Sequence, residues 1–88
     1  MSEILEEMFS SRGRVKVIRA IAVYEALNVN RICKITGLHH RIVRSHLKSL
    51  VERGIVNEER FGRVRVYSLN RSNPKVKKLI RLIEALEV

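Results

Sequence analysis

Three residue types are missing from this chain of 88 residues, which contains no aspartate, no glutamine and no tryptophan. Cysteine occurs once, at Cys33, so the chain can form neither an internal disulfide nor a metal site built from several cysteines. No apolar run approaches the roughly 18 residues that a membrane-spanning helix needs, and we therefore expect no membrane partner. Heavy use of Ile, Val, Leu, Arg and Lys beside these absences is a weak indication of a thermophilic source.

The patterns that enzymes use for catalysis are absent as well. No nucleophile triad, pair of carboxylates or glycine-rich phosphate loop can be assembled, so we expect that the protein is not an enzyme and needs no cofactor. The amino terminus, MSEILEEMF, is acidic and amphipathic and does not resemble a secretory signal, which predicts a cytoplasmic protein. The length predicts a single domain over residues 1–88, with a core over residues 11–70.

The charge of the chain is strongly positive. Eighteen Lys and Arg residues against nine Glu residues give a formal net charge of +9. A membrane surface or an acidic protein could neutralise this charge, but a polyphosphate is the commonest partner of a compact basic domain, which favours nucleic acid. The acidic residues lie mainly at the two ends and at Glu58 and Glu59, so the middle of the chain is basic. This uneven distribution indicates a binding face.

The central stretch from Gly37 to Val56, GLHHRIVRSHLKSLVERGIV, predicts a helix with two different faces. At 100° per residue, one side is apolar and carries Val43, Leu47, Leu50 and Val51. The opposite side is polar and carries Arg41, Arg44, Ser45 and Lys48. Gly37 and Gly54 bound the helix to about four turns, a length that fits a DNA major groove roughly 12 Å wide.

Two histidines, His39 and His40, stand at the start of this helix, where backbone N–H groups favour a phosphate. We expect one of them to cap the helix or to contact the DNA backbone. With Cys33 and His46 they form a Cys-x5-His-His-x5-His series, which could suggest zinc. Adjacent histidines diverge on a helix, however, and there is no second Cys, so we predict no metal site. We interpret Cys33 as a small buried residue and His46 as a structural one.

Three further helical segments are predicted before the central one. Residues 2–9 predict a short helix with acidic residues on one side and apolar residues on the other. The apolar side must dock on its own domain or on a second copy. It consists of Ile4, Leu5, Met8 and Phe9. A longer helix is predicted to run to about Leu27. A short helix over residues 31–36 follows, with Asn30 as its cap and Ile35 facing the core.

After Gly54 the apolar pattern changes from helical to alternating. The segments Ile55–Phe61 and Val64–Leu69 are rich in β-branched and aromatic residues, and Gly62 with Arg63 lies between them as a turn. This predicts a two-stranded wing. Its tip carries three arginines that could contact the DNA backbone or enter a minor groove, or that could simply form a soluble surface, namely Arg60, Arg63 and Arg65.

Asn73 and Pro74 predict the start of a last helix, over residues 73–88, since Asn caps helices and Pro is favoured at their first position. Its apolar stripe is wider than the contact line of a two-helix coiled coil requires, because Leu82 broadens it. We interpret the helix as a dimer interface, joined by residues 2–9, although packing within the monomer is the alternative. The interface residues on this helix would be Val76, Leu79, Ile80, Ile83 and Leu86.

The predicted fold class is α+β and mostly helical. Its order of helices, a two-stranded hairpin and a closing helix is that of a winged helix-turn-helix domain. The run LHHRIVRSHLKSLVERGIV resembles the recognition helix of ArsR-type and MarR-type transcription regulators. The residues that match the pattern are Val43, His46, Leu47, Lys48, Leu50, Gly54, Ile55 and Val56. The segments SSRGRVKVIRAI and FGRVRVYSLN are similar to the first helix and the wing of small archaeal regulators. Together the resemblance covers about residues 10–70.

This resemblance implies a homodimeric, sequence-specific transcription regulator that binds double-stranded DNA. Within the recognition helix we expect Arg41 and Arg44 to read bases, Ser45 to meet a base edge or a phosphate, and Lys48 to contact phosphate. Metal-sensing ArsR-type proteins carry a cysteine pair in the helix before the recognition helix, whereas RICKITGL has only Cys33, so we expect no thiolate metal sensor. We also expect no small-molecule effector, because the chain has no separate ligand domain.

Two other functions remain open on the sequence. The excess of positive charge also suits a nucleoid or architectural protein that binds duplex DNA with little sequence preference. A winged helix can instead serve protein interaction within a transcription or replication assembly.

Overall fold

The computed structural model describes residues 12–87, and in this part of the chain four helices and three strands are present. In chain order they are α1 (Arg12–Tyr24), β1 (Ala26–Asn28), α2 (Val29–Thr36), α3 (His40–Glu52), β2 (Val56–Phe61), β3 (Val64–Leu69) and α4 (Pro74–Glu87). The predicted α+β winged helix-turn-helix fold is confirmed. None of the helices within residues 12–87 is long and apolar enough to cross a membrane.

The three strands form an antiparallel sheet in the order β1-β3-β2. Strands β2 and β3 pair from Val56 opposite Leu69 to Phe61 opposite Val64, which is the predicted wing. Strand β1 adds a third member to the two predicted strands, with Leu27 opposite Tyr67. This pairing fastens the base of the wing to the segment between α1 and α2.

Helix α1 ends at Tyr24, three residues before the predicted end at Leu27. The next residue, Glu25, has φ 68°, a left-handed conformation that is unusual for a residue with a side chain. Its backbone N–H donates to the carbonyl of Ile21 at 2.9 Å and closes the last turn. The prediction was wrong because neither Gly nor Pro marks this stop, and Leu27 is buried from a strand instead of a helix.

Helix α2 begins two residues earlier than predicted. Its cap is Asn28, whose extended backbone lets the side-chain oxygen accept a hydrogen bond from the Arg31 backbone N–H at 2.9 Å. The prediction of Asn30 as the cap was therefore wrong. Ile32 is fully buried, whereas Ile35, which was predicted to face inward, is 38% exposed near the end of this eight-residue helix.

Two glycines end helices as predicted. Gly37 has φ 75° and its N–H donates to the carbonyl of Cys33, which stops α2 and turns the chain toward α3. Gly54 has φ 73° after the last turn of α3. Only a residue without Cβ takes this conformation at low cost, so the two glycines fix both bounds of the central helix.

One apolar core joins all the elements. The predicted inner side of α3 is part of it, since Val43, Leu47 and Leu50 are buried and Val51 is half-buried. The buried side chains are those of Val17, Ile18, Ala20, Ile21, Leu27, Ile32, Val43, Leu47, Leu50, Ile55, Val56, Tyr67, Leu69, Val76 and Leu79. The core thus holds α3 by one side and leaves its other side outside.

Helix α4 contributes to this core as well as to the surface. Val76 is 1% exposed and Leu79 is 7% exposed, so the chain's own core leaves them almost no surface for a partner, as the alternative of packing within the monomer predicted. Ile80 and Ile83 are half-buried against the same core. The predicted interface residues Ile4, Leu5, Met8 and Phe9 lie outside the described residues. On α4 the apolar surface that remains exposed consists of Leu82 and Leu86.

Candidate nucleic-acid interface

The outer side of α3 is polar and cationic over its whole length. Arg41, Arg44, Ser45 and Lys48 are all exposed, on the side away from the buried Val43, Leu47 and Leu50. The sequence had separated these two sets by helical period alone, and the structure confirms that separation. Ile42 also lies on the surface of this helix, where its side chain is 46% exposed.

The start of α3 is fixed by its two histidines. His39 is the cap, and its Nδ1 accepts a hydrogen bond from the Arg41 backbone N–H at 3.1 Å. His40 reaches back to α2, with its Nε2 at 2.8 Å from the side-chain oxygen of Asn30. The amino ends of the two helices are therefore held side by side. A capping histidine was predicted, but the contact of His40 with Asn30 was not.

The Cys-His series that could suggest zinc is not brought together in the described residues. The rings of His39 and His40 are 6.3 Å apart at 86°, and each is used by a different partner. Cys33 is half-buried against the core. Among residues 12–87, no group of three or more His, Cys, Asp or Glu side chains could hold a metal ion.

His46 joins α3 to the start of α1. The Nε of Arg14 donates to the Nδ1 of His46 at 3.3 Å, and a Cβ added at Gly13 would lie 3.1 Å from the Nε2 of the same ring. Burial and, to a lesser degree, the Arg14 guanidinium lower the pKa of His46 below its usual 6.5. The His46 ring thus packs from α3 against the first residues of α1, which agrees with the structural role that the sequence predicted.

The wing carries its arginines at its tip. Arg60 and Arg65 are cross-strand partners, and Arg63 lies in the turn between β2 and β3. All three side chains are exposed. Because cross-strand partners point to the same face of a sheet, the structure places Arg60 and Arg65 side by side.

A cleft of about 970 Å³ separates α3 from the wing. Helix α3 and the wing each line it with cations, namely Arg44 and Lys48 from the helix and Arg60, Arg63 and Arg65 from the hairpin. The predicted helix and wing sites are therefore two walls of one concave surface. Arg41, Ser45, His39 and His40 are not among the residues that line this cleft.

Several residues of the cleft had not been predicted as site residues, among them Asn30, Glu52, Glu58 and Tyr67. The Tyr67 hydroxyl donates to Oε2 of Glu58 at 3.0 Å across the two strands of the wing. Burial raises the pKa of Tyr67, and the hydrogen bond to Glu58 raises it further. The turn at Gly62 sets the strand register that makes these residues partners, so the hairpin pattern was the signal that could have found the pair.

Known proteins resemble this chain in sequence and in fold. The sequence profile described as "Bacterial regulatory protein, arsR family" matches residues 11–58, which is more than half of the chain. No curated protein matches the chain.

Solved structures resemble the fold over nearly the whole chain. The transcriptional repressor PagR of Bacillus anthracis is 34% identical, with a TM-score of 0.74 over 92% of this chain and 88% of that one. HlyU from Vibrio cholerae has a TM-score of 0.80 at 23% identity, over 94% of this chain and 86% of that one. A homodimeric winged helix-turn-helix DNA-binding domain from Mycobacterium bovis has a TM-score of 0.74 at 20% identity, over 93% and 73%.

The profile match covers α1 to the first part of β2, which includes both helices of the helix-turn-helix. The match to the Bacillus repressor covers 92% of this chain and therefore reaches beyond the profile match. The profile match, the sequence identity and the fold agree with the resemblance of the central helix to the recognition helix of ArsR-type regulators. The chain therefore belongs to the arsR family of bacterial regulatory proteins, and it is a DNA-binding transcription regulator with a winged helix-turn-helix fold, not an enzyme.

Proposed function

We propose that two copies of this chain bind one double-stranded DNA site, each with α3 in a major groove and its wing on the flanking backbone or in the minor groove. The observation that carries the proposal is the cleft, in which cations of α3 and of the wing line one surface. A duplex presents a groove and a ridge of phosphates side by side, and this shape suits a helix next to a basic hairpin. Because the 34% identical relative is a transcriptional repressor, we propose repression as the outcome of binding.

The side chains on α3 are proposed to contact different parts of the duplex. Arg41 and Arg44 are proposed to read bases, because a guanidinium can donate two parallel hydrogen bonds to the O6 and N7 of guanine. Ser45 meets a base edge or a phosphate, and Lys48 meets a phosphate. Arg44 and Lys48 both line the cleft, and Lys48 lies one helical turn further along α3.

Phosphates are also proposed to lie at the start of α3 and along the wing. His39 and His40 stand where the positive end of the helix dipole is found, and both are exposed. On the wing, Arg60, Arg63 and Arg65 supply three charges within six residues. We propose DNA as the ligand of this cleft, because the cations that line it suit a polyanion. We propose no small-molecule effector. Binding to DNA implies a cytoplasmic location.

The first experiment is a selection of bound duplexes from a random pool. A sequence-specific regulator enriches one motif with two half-sites, and the affinity for this motif should exceed that for random DNA by at least about 10³. Binding should weaken with salt, with a log–log slope of roughly −0.9 for each phosphate neutralised. Equal affinity for all duplexes would favour an architectural protein, and failure to bind any duplex at low salt would favour a protein-interaction role.

The selected duplex then allows a test of Arg44. Arg44→Ala should weaken binding to that duplex by about 1 to 3 kcal/mol and should relax selectivity at one base pair, because a bidentate contact to a base edge is lost. Arg81→Ala on α4 is the matched control, since it removes the same charge from an exposed position outside the cleft. An equal loss on random DNA would instead assign Arg44 to a phosphate.

A further inference from the structure

The face of the wing that lines the cleft carries more than its arginines. Side chains alternate between the two faces of a strand, so the cross-strand pair Arg60 and Arg65 shares a face with the next pair, Glu58 and Tyr67. All four residues line the cleft. Tyr67 is buried, at 4% exposure, whereas the other three are exposed. The aromatic ring is thus fixed in the core while its hydroxyl reaches the wall of the cleft.

The Tyr67 hydroxyl has a single proton, and Glu58 receives its hydrogen bond. The hydroxyl donates to Oε2 of Glu58 at 3.0 Å, so toward any other polar neighbour its oxygen can only accept. The Arg65 guanidinium is such a neighbour. Burial and Glu58 raise the pKa of Tyr67, and Arg65 opposes this rise through a hydrogen bond and through its positive charge. Arg65, Tyr67 and Glu58 therefore form one chain of donors and acceptors.

Arg60 and Arg65 differ in what surrounds them, although their charges are equal. They lie directly opposite each other on neighbouring strands, where two like charges repel. A long side chain in water has many rotamers, and ordering it on a ligand costs free energy. Of the two, Arg65 is the one that affects the pKa of Tyr67. A contact with a hydroxyl that is fixed in the core restricts Arg65 before any ligand arrives, so less ordering is left for the complex.

The carboxylate of Glu58 has a defined place in this arrangement. A negative charge repels phosphates, so on its own it would weaken the binding of a polyanion in the cleft. Glu58 lies one cross-strand pair nearer the base of the wing than the two arginines, and its hydrogen bond to Tyr67 holds it there. From this position it takes the hydroxyl proton, which leaves the oxygen of Tyr67 free to accept from Arg65.

We propose that Tyr67 is a positioning residue of the DNA-binding cleft: its hydroxyl, oriented by Glu58, holds the Arg65 guanidinium in place for a phosphate. The proposal rests on the function proposed above, which assigns the wing arginines to the duplex as a group. It separates members of that group, because a side chain that is ordered in advance binds at a lower entropic cost. Arg65 therefore contributes more to affinity than Arg60, its cross-strand partner of equal charge.

The first experiment uses Tyr67→Phe, which removes the hydroxyl and keeps the ring in the core. Binding to the selected duplex should weaken about fivefold, because the ordering of one long side chain then opposes complex formation. In an Arg65→Gln background the same change should have no effect, since the side chain that Tyr67 positions is gone. Arg60→Gln is the matched background, because it removes the same charge from the opposite strand. There Tyr67→Phe should keep its full effect.

The second measurement uses the free protein and needs no DNA. NMR relaxation reports the fast motion of each arginine Nε–H group. In the wild type, the Nε–H of Arg65 should be more restricted than that of Arg60. In Tyr67→Phe, the Nε–H of Arg65 should become as mobile as that of Arg60. Thermal melting checks that Tyr67→Phe is folded. A hydroxyl that only stabilises the fold would change the melting temperature and leave the motion of Arg65 as it is.

Each outcome decides the proposal. If the wild type selects a duplex but Arg65 is as mobile as Arg60, the positioning role is wrong and the proposed function stands. If Tyr67→Phe weakens binding equally in the Arg65→Gln background, the hydroxyl acts through the fold of the wing or on the DNA itself, and the positioning role is again wrong. A wild type that selects no duplex would overturn the proposed function, and with it the assignment of Arg65 to a phosphate, even if Arg65 is restricted.

Discussion

At the scale of single residues, Glu25 is the position where the local conformation and the residue type disagree. Its φ of 68° places a Cβ in the left-handed region, and its carboxylate stands at the negative end of the α1 dipole. Glu25→Gly should therefore raise the free energy of unfolding by about 1 kcal/mol, measured by urea denaturation. Glu25→Ala is the control, because it removes the charge and keeps the Cβ. A glycine variant no more stable than the alanine variant would show that the backbone here is not strained.

His46 gives the protein a defined dependence on pH. Burial and Arg14 lower its pKa in the folded state, so the unfolded chain binds the proton more tightly. Stability should thus be fully present above the unfolded pKa of about 6.5 and should fall as the pH drops through that value toward the folded pKa. The melting temperature of the wild type should decrease between about pH 7.5 and about pH 5 by more than that of His46→Gln.

The control for this measurement is Ser45→Ala, which changes an exposed side chain without a titratable group on the same helix. Its pH dependence should match that of the wild type. If all three proteins lose the same stability on acidification, His46 is not the group that titrates.

Periodicity predicted which residues of α3 face outward, because the helix buries a single side and has clear stops. The same reasoning failed at Glu25, Asn28 and Ile35. The chain leaves α1 without a Gly or Pro, and either of two nearby asparagines could have capped α2. Such choices depend on the tertiary contacts of Leu27 and Ile32, which a local pattern does not contain.

At the scale of elements, the junction between α3 and α4 is held by two asparagine side chains. Asn70 and Asn73 both donate their Nδ2 to the carbonyl of Gly54, at 2.9 Å and 3.1 Å. Asn73 also caps α4, where its side-chain oxygen accepts from the Lys75 backbone N–H at 2.9 Å. One residue therefore closes the end of one helix and opens the next.

Replacing Asn73 should be costly for a surface residue. Asn73→Ala removes a helix cap and a hydrogen bond to a half-buried carbonyl, and together these should lower the free energy of unfolding by about 2 kcal/mol. The comparison is Asn57→Ala, an exposed asparagine on β2, which should change stability by less than about 0.5 kcal/mol. Chemical denaturation of both variants measures the difference in the free energy of unfolding. Equal losses would show that the Asn73 side chain does not stabilise the junction between α3 and α4.

The elements themselves were predicted to different extents. The wing followed from two alternating segments and a Gly-Arg turn, and α4 followed from Asn-Pro, because these signals are local. The bounds of strand β1 were not predicted, because its three residues, Ala26–Asn28, become a strand only when β3 lies beside them. The carboxylate of Glu58 in the cleft was missed for a similar reason, since its position depends on strand register.

At the scale of the whole molecule, α4 both completes the core and faces outward. Deletion of residues 75–88 would remove Val76 and Leu79 from the core, so it would test folding and not association. The exposed pair Leu82 and Leu86 allows a cleaner test, because these two side chains are 41% and 73% exposed in the single chain.

The double change Leu82→Ser and Leu86→Ser should convert the dimer into a folded monomer. Covering both leucines in each protomer contributes roughly 4 kcal/mol to association, so their loss should weaken the dimer by about a thousandfold. Sedimentation measures the mass, and circular dichroism checks the fold. The paired change Lys77→Ser and Arg81→Ser, on other exposed positions of α4, should leave the dimer intact. A dimer that survives the leucine changes would place the interface elsewhere.

The Gly54 carbonyl, which accepts from two side chains at once, has a consequence for the pair of subunits. If α4 joins the protomers, the contact between α4 and the end of α3 lies between the dimer axis and each α3, and two asparagine side chains hold it. The two α3 helices of the dimer then keep a fixed distance and a fixed rotation relative to each other. An operator lengthened by one base pair at its centre turns one half by roughly 34°, and a rigid pair of helices cannot follow that rotation.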